Sequence, residues 1–208
     1  WNLNQLWALA TPDIMNKWVE SLLEYYRVGG WLPNGPPGVE YCDIMGAQHE
    51  IPLMVSAYQK GIRNYDVDKA YEAVKKTLTT QGTALSSGGI VGNRHLDVYL
   101  KYGFVPYGEK SHHNVFGTTY EGPTSNTLEY AFDDWNAAQF AKALGYEEEY
   151  DYFTRRAYNY KNVFDSETKY VRPKYSDGTW MPDFEPINKD EHSTSWSWLG
   201  SGFVEGNS

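Results

Sequence analysis

The sequence has 208 residues, which is long enough for one domain with a substantial core. Its net charge of −9 argues against nucleic acid or an anionic membrane surface as a partner, and no apolar run approaches the roughly 20 residues of a membrane span. A single cysteine excludes an intrachain disulfide, so the chain is not a disulfide-stapled scaffold.

The first half of the chain is patterned for helices. Thr11-Pro12-Asp13 combines an N-cap residue, a proline for the first helical position and an acidic first turn, and Gly29-Gly30 ends the apolar repeat that follows. Apolar spacing predicts a second helix over 49–61. Asp66 is predicted to cap a third helix, whose apolar face continues to Leu78.

The second half continues in the same way after a Gly/Ser/Thr-rich stretch at 81–92, which is predicted to be irregular. A short helix is predicted over 96–101. Asn126 with Glu129 three residues later matches a capping box, and the helix that this box would start runs to Gly145. The remaining predicted elements are a fifth helix over 147–163 and two short strands, at 169–173 and 177–180, around a turn.

Two helix ends share a short pattern. Gly30-Trp31-Leu32-Pro33 and Gly103-Phe104-Val105-Pro106 each close a helical stretch with glycine, an aromatic residue, an aliphatic residue and proline. Helices that alternate with long loops suit a toroid of helical hairpins, in which the loops gather at one end and build the site. The predicted fold is therefore mainly all-α, a toroid of helical hairpins with long loops and one short β-hairpin.

The segment 126–135 concentrates chemistry-bearing side chains. Glu129, Asp133 and Asp134 supply carboxylates for proton transfer, and the aromatic residues between them can stack on sugar faces. Spacing places Glu129 and Asp133 on one helix face, with Asp134 turned by about 100°. A solvated surface helix is the alternative interpretation. His112-His113 is not interpreted as a metal site, because adjacent histidines rarely ligate one ion and no further ligands accompany them.

Motifs in a shared order carry a resemblance to glycoside hydrolase family 92, and the resemblance covers nearly the whole chain. The segment that resembles the family signature most closely is Thr127-Leu128-Glu129-Tyr130-Ala131-Phe132-Asp133-Asp134-Trp135. The other matching segments, in chain order, are Gly30-Trp31-Leu32-Pro33, Met45-Gly46-Ala47-Gln48-His49, Ala57-Tyr58-Gln59-Lys60-Gly61-Ile62, Tyr102-Gly103-Phe104-Val105-Pro106, 156–165, Val171-Arg172-Pro173-Lys174 and Glu205-Gly206-Asn207-Ser208.

The resemblance implies a calcium-dependent, inverting exo-α-mannosidase that trims mannose from glycans. By motif match Glu205 is the expected general acid, and Asn207 is a candidate for the calcium shell. His49, Glu129, Asp133 and Asp134 are expected to line or brace the sugar pocket. The implied partner is a mannose-containing oligosaccharide or glycoprotein glycan.

The resemblance also implies that residues 1–208 are an incomplete catalytic domain, part of an (α/α)6 six-hairpin toroid. The family's N-terminal β-sandwich, its general base and most of its calcium ligands are expected elsewhere in the parent protein, so the fragment alone is expected to be inactive. The parent is expected to be secreted, periplasmic or at the cell surface, although no signal is visible here. Two alternatives stay open: a non-catalytic carbohydrate-binding protein on the same helical barrel, and a helical-barrel glycosidase with another substrate.

Overall fold

The computed structural model describes residues 2–34, 41, 47–85, 90–110 and 122–182. This part of the chain is mainly helical, as the sequence predicts. Its seven α-helices are α1 (Asn2–Ala10), α2 (Pro12–Gly29), α3 (Glu50–Gln59), α4 (Val67–Thr79), α5 (Leu96–Tyr102), α6 (Pro123–Leu144) and α7 (Glu147–Ala157). A 3₁₀ turn, Tyr158–Val163, follows α7.

The helices form two rows. In one row α1 packs on α3, and α3 packs on α6. Behind them α2 contacts α1, α3 and α4, while α4 and α7 both pack on α6. Lys75 on α4 and Glu149 on α7 form an ion pair of 2.8 Å that links the second row at its surface. The consecutive helices α1 and α2 pack on each other, as do α6 and α7, whereas α3 and α4 are joined mainly through their shared neighbours α2 and α6.

The main core lies between the two rows. The described helices bury their apolar stripes there, and the fully buried members include Met15, Val19, Ile51, Met54, Val74, Leu78, Phe140 and Phe153. A smaller second core joins α5 to α6 through Leu96, Val98, Tyr99, Val105 and Tyr130. Because α6 contacts α3, α4, α7 and the 3₁₀ turn, it is the helix to which the rest of this structure is attached.

Several helix ends are confirmed. Helix α2 begins at Pro12, directly after Thr11, although the Thr11 side chain makes no capping hydrogen bond. The Asp66 side chain accepts a hydrogen bond of 2.9 Å from the Lys69 N–H at the start of α4. Gly30 and Gly103 have φ values of 77° and 73°, in the left-handed region that favours glycine. The shared Gly-aromatic-aliphatic-Pro pattern thus marks two helix ends of the same geometry.

The predicted capping box at Asn126 is wrong. Helix α6 begins three residues earlier, at Pro123, after Gly122 in a left-handed conformation. The Asn126 N–H donates to the Gly122 carbonyl oxygen at 2.8 Å, so it already has an intrahelical partner and cannot receive the Glu129 side chain as a cap. Glu129 is therefore free of a local capping role and extends towards α3.

Other differences concern short elements. The sequence gives no expectation for α1, and its Leu3, Leu6 and Leu9 are exposed. The stretch 81–92 contains a short antiparallel pair, β1 (Thr83–Ala84) and β2 (Ile90–Val91). The predicted C-terminal hairpin is present as two isolated antiparallel bridges, Phe164 with Val171 and Lys174 with Trp180, rather than as continuous strands. No helix in the described ranges is long and apolar enough to cross a membrane.

Candidate active site

Helix α6 presents its three carboxylates in two different environments. The Glu129 side chain is 23% exposed, whereas Asp133 and Asp134 are completely buried. Glu129 and Asp133 are one helical turn apart and share a face, and Asp134 points to another face of the same helix, as their spacing predicts. Only Glu129 among the three can therefore contact a ligand from solvent.

His49 lies opposite Glu129. The residue precedes the first turn of α3, and its Nε2 atom is 3.4 Å from Oε2 of Glu129. The imidazole is 31% exposed, so both partners of the pair remain accessible. Burial lowers the pKa of His49, which leaves the imidazole neutral at neutral pH. A neutral imidazole beside a carboxyl group offers one donor and several acceptor positions, which is the chemistry that sugar hydroxyls require.

Asp133 is attached to the chain segment that carries His49. The backbone N–H of Gln48 donates a hydrogen bond of 3.0 Å to Oδ2 of Asp133. Burial raises the pKa of Asp133 well above its usual range; the Gln48 hydrogen bond opposes this, and nearby Glu129 and Asp134 add to it. Glu50 is also buried, and its pKa is raised by burial and further by Asp133. Two buried carboxyl groups thus lie beneath the accessible pair.

Asp134 joins α6 to α5 and α7 through a buried network. Arg156 donates from Nε to Oδ2 of Asp134 at 3.1 Å, and its Nη2 atom is 2.8 Å from Oδ1. The Tyr99 hydroxyl is 2.9 Å from the same Oδ2 and 3.2 Å from the Arg156 carbonyl oxygen. Burial raises the pKa of Asp134 to about 7, against the lowering effects of Arg156 and Tyr99. This carboxyl group braces three helices and has no surface for substrate.

The structure brings some of the predicted site residues together and leaves others unplaced. His49 and Glu129 form the accessible pair. Asp133 is buried and connects α6 to the segment before α3, and Asp134 is buried and connects α6 to α5 and α7. Glu205 and Asn207, like the His112-His113 pair, lie outside the described residues.

Four residues of this site were not singled out from the sequence: Gln48, Glu50, Tyr99 and Arg156. Gln48 and Arg156 fall inside segments that carry the family resemblance, but nothing in those segments indicates their contacts. Tyr99 is separated from Asp134 by 35 positions, and Arg156 by 22. Their roles arise only when α5 and α7 pack on α6, so no local sequence signal could have found them.

A concave feature lies between α1, α3 and α6. This cleft of about 410 Å³ is lined by residues that include Pro52, Ser56, Gln59, Phe132, Trp135 and Asn136. Neither His49 nor Glu129 lines it. Phe132 and Trp135 are 39% and 51% exposed, so α6 carries an apolar face here that the described helices do not cover.

Solved structures with the same arrangement of helices place the fold in a class. The family GH92 inverting mannosidase BT2199 from Bacteroides thetaiotaomicron superimposes with a TM-score of 0.77 and 28% identity, over 89% of this chain and 23% of that protein. The family GH92 α-mannosidase BT3965 from the same organism, solved with mannoimidazole, gives a TM-score of 0.74 and 30% identity, over 89% and 22%. The class is the (α/α) glycosidases.

The family follows from the sequence as a whole. Residues 1–208 match the model of the glycosyl hydrolase family 92 catalytic domain, and the chain belongs to that family. An uncharacterized secreted glycosidase of Arthroderma benhamiae is 28% identical over 190 residues, which are 85% of this chain and 24% of that protein. The chain thus spans about a quarter of the length of the relatives it matches.

Proposed function

We propose that the full-length protein containing this chain is an inverting exo-α-mannosidase that trims mannose from glycans, including N-glycans. The observation that carries the proposal is the accessible His49–Glu129 pair, held at one end of the helical rows in a chain whose structural relatives are mannosidases. The secreted fungal relative supports a secreted, periplasmic or cell-surface location for the parent.

In this proposal the accessible pair binds the sugar. The neutral imidazole and the Glu129 carboxyl group are 3.4 Å apart and form hydrogen bonds to neighbouring hydroxyl groups of one mannose unit. Hydrogen bonds that involve a charged group are about twice as strong as neutral ones, so a carboxylate at Glu129 would contribute most of the polar binding energy. The pair orients the sugar, and the proton transfers fall to other carboxyl groups.

Hydrolysis with inversion needs two carboxyl groups on opposite sides of the glycosidic bond, about 6.5–9.5 Å apart. We assign the general acid to Glu205, on the Glu205-Gly206-Asn207-Ser208 resemblance, and expect the base elsewhere in the parent. The acid protonates the departing oxygen while the base takes a proton from the attacking water.

The family resemblance implies that the parent protein binds calcium. Among the residues that the structure describes, no group of three His, Cys, Asp or Glu side chains is placed to hold a metal ion. Asn207, the candidate ligand in this chain, lies outside those residues.

We further propose that these 208 residues are an incomplete (α/α)6 domain, completed in the parent by further helices and preceded by a β-sandwich. The relatives are about four times longer than the stretch matched here. The exposed side chains of Phe132 and Trp135 on α6 line one cleft, and Leu3 and Leu6 on α1 are exposed as well. Additional helices would bury these side chains. The chain alone would then lack a complete site and be inactive.

Glu129→Gln in the full-length protein tests the sugar-binding role. The variant is expected to raise KM for α-linked manno-oligosaccharides about tenfold or more, because a hydrogen bond to a charged group contributes about 1.5–3 kcal/mol. Glu148→Gln, at an exposed position of α7, is the matched control and should leave KM unchanged. Mannose release at several substrate concentrations is the measurement.

An unchanged KM in Glu129→Gln would contradict the assignment of the pair to the sugar. Mannoside binding without any mannose release by the wild type would favour the non-catalytic binding protein. Release of a different sugar in place of mannose would favour a helical-barrel glycosidase with another substrate.

A further inference from the structure

We propose that Asp133 is a positioning residue, whose carboxyl group fixes the His49 imidazole against Glu129 by holding the Ala47–Gln48 peptide through the Gln48 N–H. This inference rests on the proposed sugar-binding role of the His49–Glu129 pair. It gives a completely buried carboxyl group of α6 a function in substrate binding without direct contact.

The geometry gives α6 two attachment points to one short segment. Glu129 approaches the His49 side chain at 3.4 Å, and Asp133 accepts the Gln48 N–H at 3.0 Å. The two α6 residues are four positions apart, which corresponds to a rise of about 6 Å along a rigid helix. The position of the segment before α3 relative to α6 is therefore fixed by a main-chain hydrogen bond at Gln48 and a side-chain contact at His49.

The segment is held from its other side as well. The Asn34 side chain donates to the Ala47 carbonyl oxygen, and Ala47 and Gln48 are 1% and 2% exposed. Both polar atoms of the Ala47–Gln48 peptide are thus hydrogen-bonded, and the Gln48 carbonyl oxygen of the next peptide accepts from the Ile51 N–H at 2.9 Å. The direction in which His49 leaves the backbone is therefore determined before α3 begins. Loss of the Asp133 hydrogen bond would release the Gln48 N–H, whose only acceptor given by the described residues is this carboxyl group.

The surroundings of Asp133 favour a positional role over a stabilising one. The carboxyl groups near enough to affect its charge are Glu50 from α3 and Glu129 and Asp134 from α6, so three acidic neighbours accompany complete burial. Its Oδ1 atom has no hydrogen-bond partner among the described residues. A buried carboxyl group in such company is costly compared with an apolar side chain of similar volume, but an apolar side chain would leave the Gln48 N–H without an acceptor.

Two substitutions separate position from charge. Asp133→Asn removes the carboxyl group but keeps an oxygen that can accept from the Gln48 N–H. Asp133→Ala removes the acceptor. Glu50→Gln is the control, since it changes a neighbouring buried carboxyl group and leaves the Gln48 hydrogen bond intact.

In the full-length protein, Asp133→Ala is expected to raise KM for manno-oligosaccharide about tenfold or more, with a smaller change in kcat, because small misplacements of binding groups have large effects. Asp133→Asn and Glu50→Gln keep the Gln48 hydrogen bond, so their KM values should stay within about threefold of the wild type. Histidine side-chain NMR provides a readout that is independent of activity. The pKa of His49 should rise towards its ordinary value in Asp133→Ala, as the ring loses burial, and should keep its wild-type value in Asp133→Asn.

Three outcomes would overturn the proposal: an unchanged His49 pKa in Asp133→Ala, equal KM effects in the alanine and asparagine variants, or a loss of thermal stability without any change in KM or in the pH profile of kcat/KM. If the wild type releases no mannose, the proposed function fails, while the NMR comparison still decides whether Asp133 positions His49.

Discussion

Asp134→Ala is expected to lower the free energy of unfolding by about 3–5 kcal/mol, the typical effect of removing one partner from a buried ion pair. The variant would leave the Arg156 guanidinium, in a residue that is 7% exposed, without its carboxylate, and would take an acceptor from Tyr99. Because this network joins α5 and α7 to α6, its loss should loosen both helices. Denaturant unfolding followed by near-ultraviolet circular dichroism measures the effect.

Two further variants test whether the loss of stability comes from the buried ion pair. Asp151→Ala, at an exposed position on α7, should change the unfolding free energy by no more than about 0.5 kcal/mol. Asp134→Leu combined with Arg156→Met should recover much of the stability, because replacing both partners leaves no uncompensated charge. If Asp134→Ala costs less than about 1 kcal/mol, in the range of a surface ion pair, the network is not the brace described above.

The largest effect on activity is expected from Glu205→Gln in the full-length protein. A general acid contributes about 100-fold to 10,000-fold to the rate, so kcat for manno-oligosaccharides should fall by about 100-fold or more. A glutamine cannot donate the proton that the departing oxygen needs. A mannoside with a strongly acidic aryl leaving group needs little protonation, so its hydrolysis should be much less affected.

The comparison of the two substrates distinguishes a role of Glu205 as general acid from a role in binding or folding. Equal losses on both would indicate that Glu205 serves in binding or folding and not as the acid. Full activity of Glu205→Gln on manno-oligosaccharides would move the acid to another carboxyl group. Glu148→Gln again provides the exposed control.

Local sequence signals predicted those parts of the fold that local physics determines. Thr11 with Pro12, Asp66, and the glycines at 30 and 103 define helix ends by backbone conformation and capping, and the structure confirms them. The Asn126 capping box failed because an alternative start was available three residues earlier. Pro123 is preorganised for the first helical position, and the Asn126 N–H then joins the helix ladder.

The candidate site was predictable only in part, for a similar reason. The family resemblance selected His49, Glu129, Asp133 and Asp134, but it did not separate residues that face solvent from residues that brace. That distinction depends on how α3, α5 and α7 pack around α6, which no residue spacing within α6 reveals. The partners Gln48, Tyr99 and Arg156 belong to other elements and become neighbours only in the folded chain.

The central claim is that the parent protein hydrolyses α-mannosides with inversion and that this chain supplies part of its site. Time-resolved proton NMR of an α-linked manno-oligosaccharide, incubated with the full-length protein and separately with the 208-residue chain, tests it most directly. The account predicts that the full-length protein first releases β-mannose, which then equilibrates to the α-anomer, and that the chain alone releases none. Initial release of α-mannose, no mannose from the full-length protein, or turnover by the chain alone would contradict it.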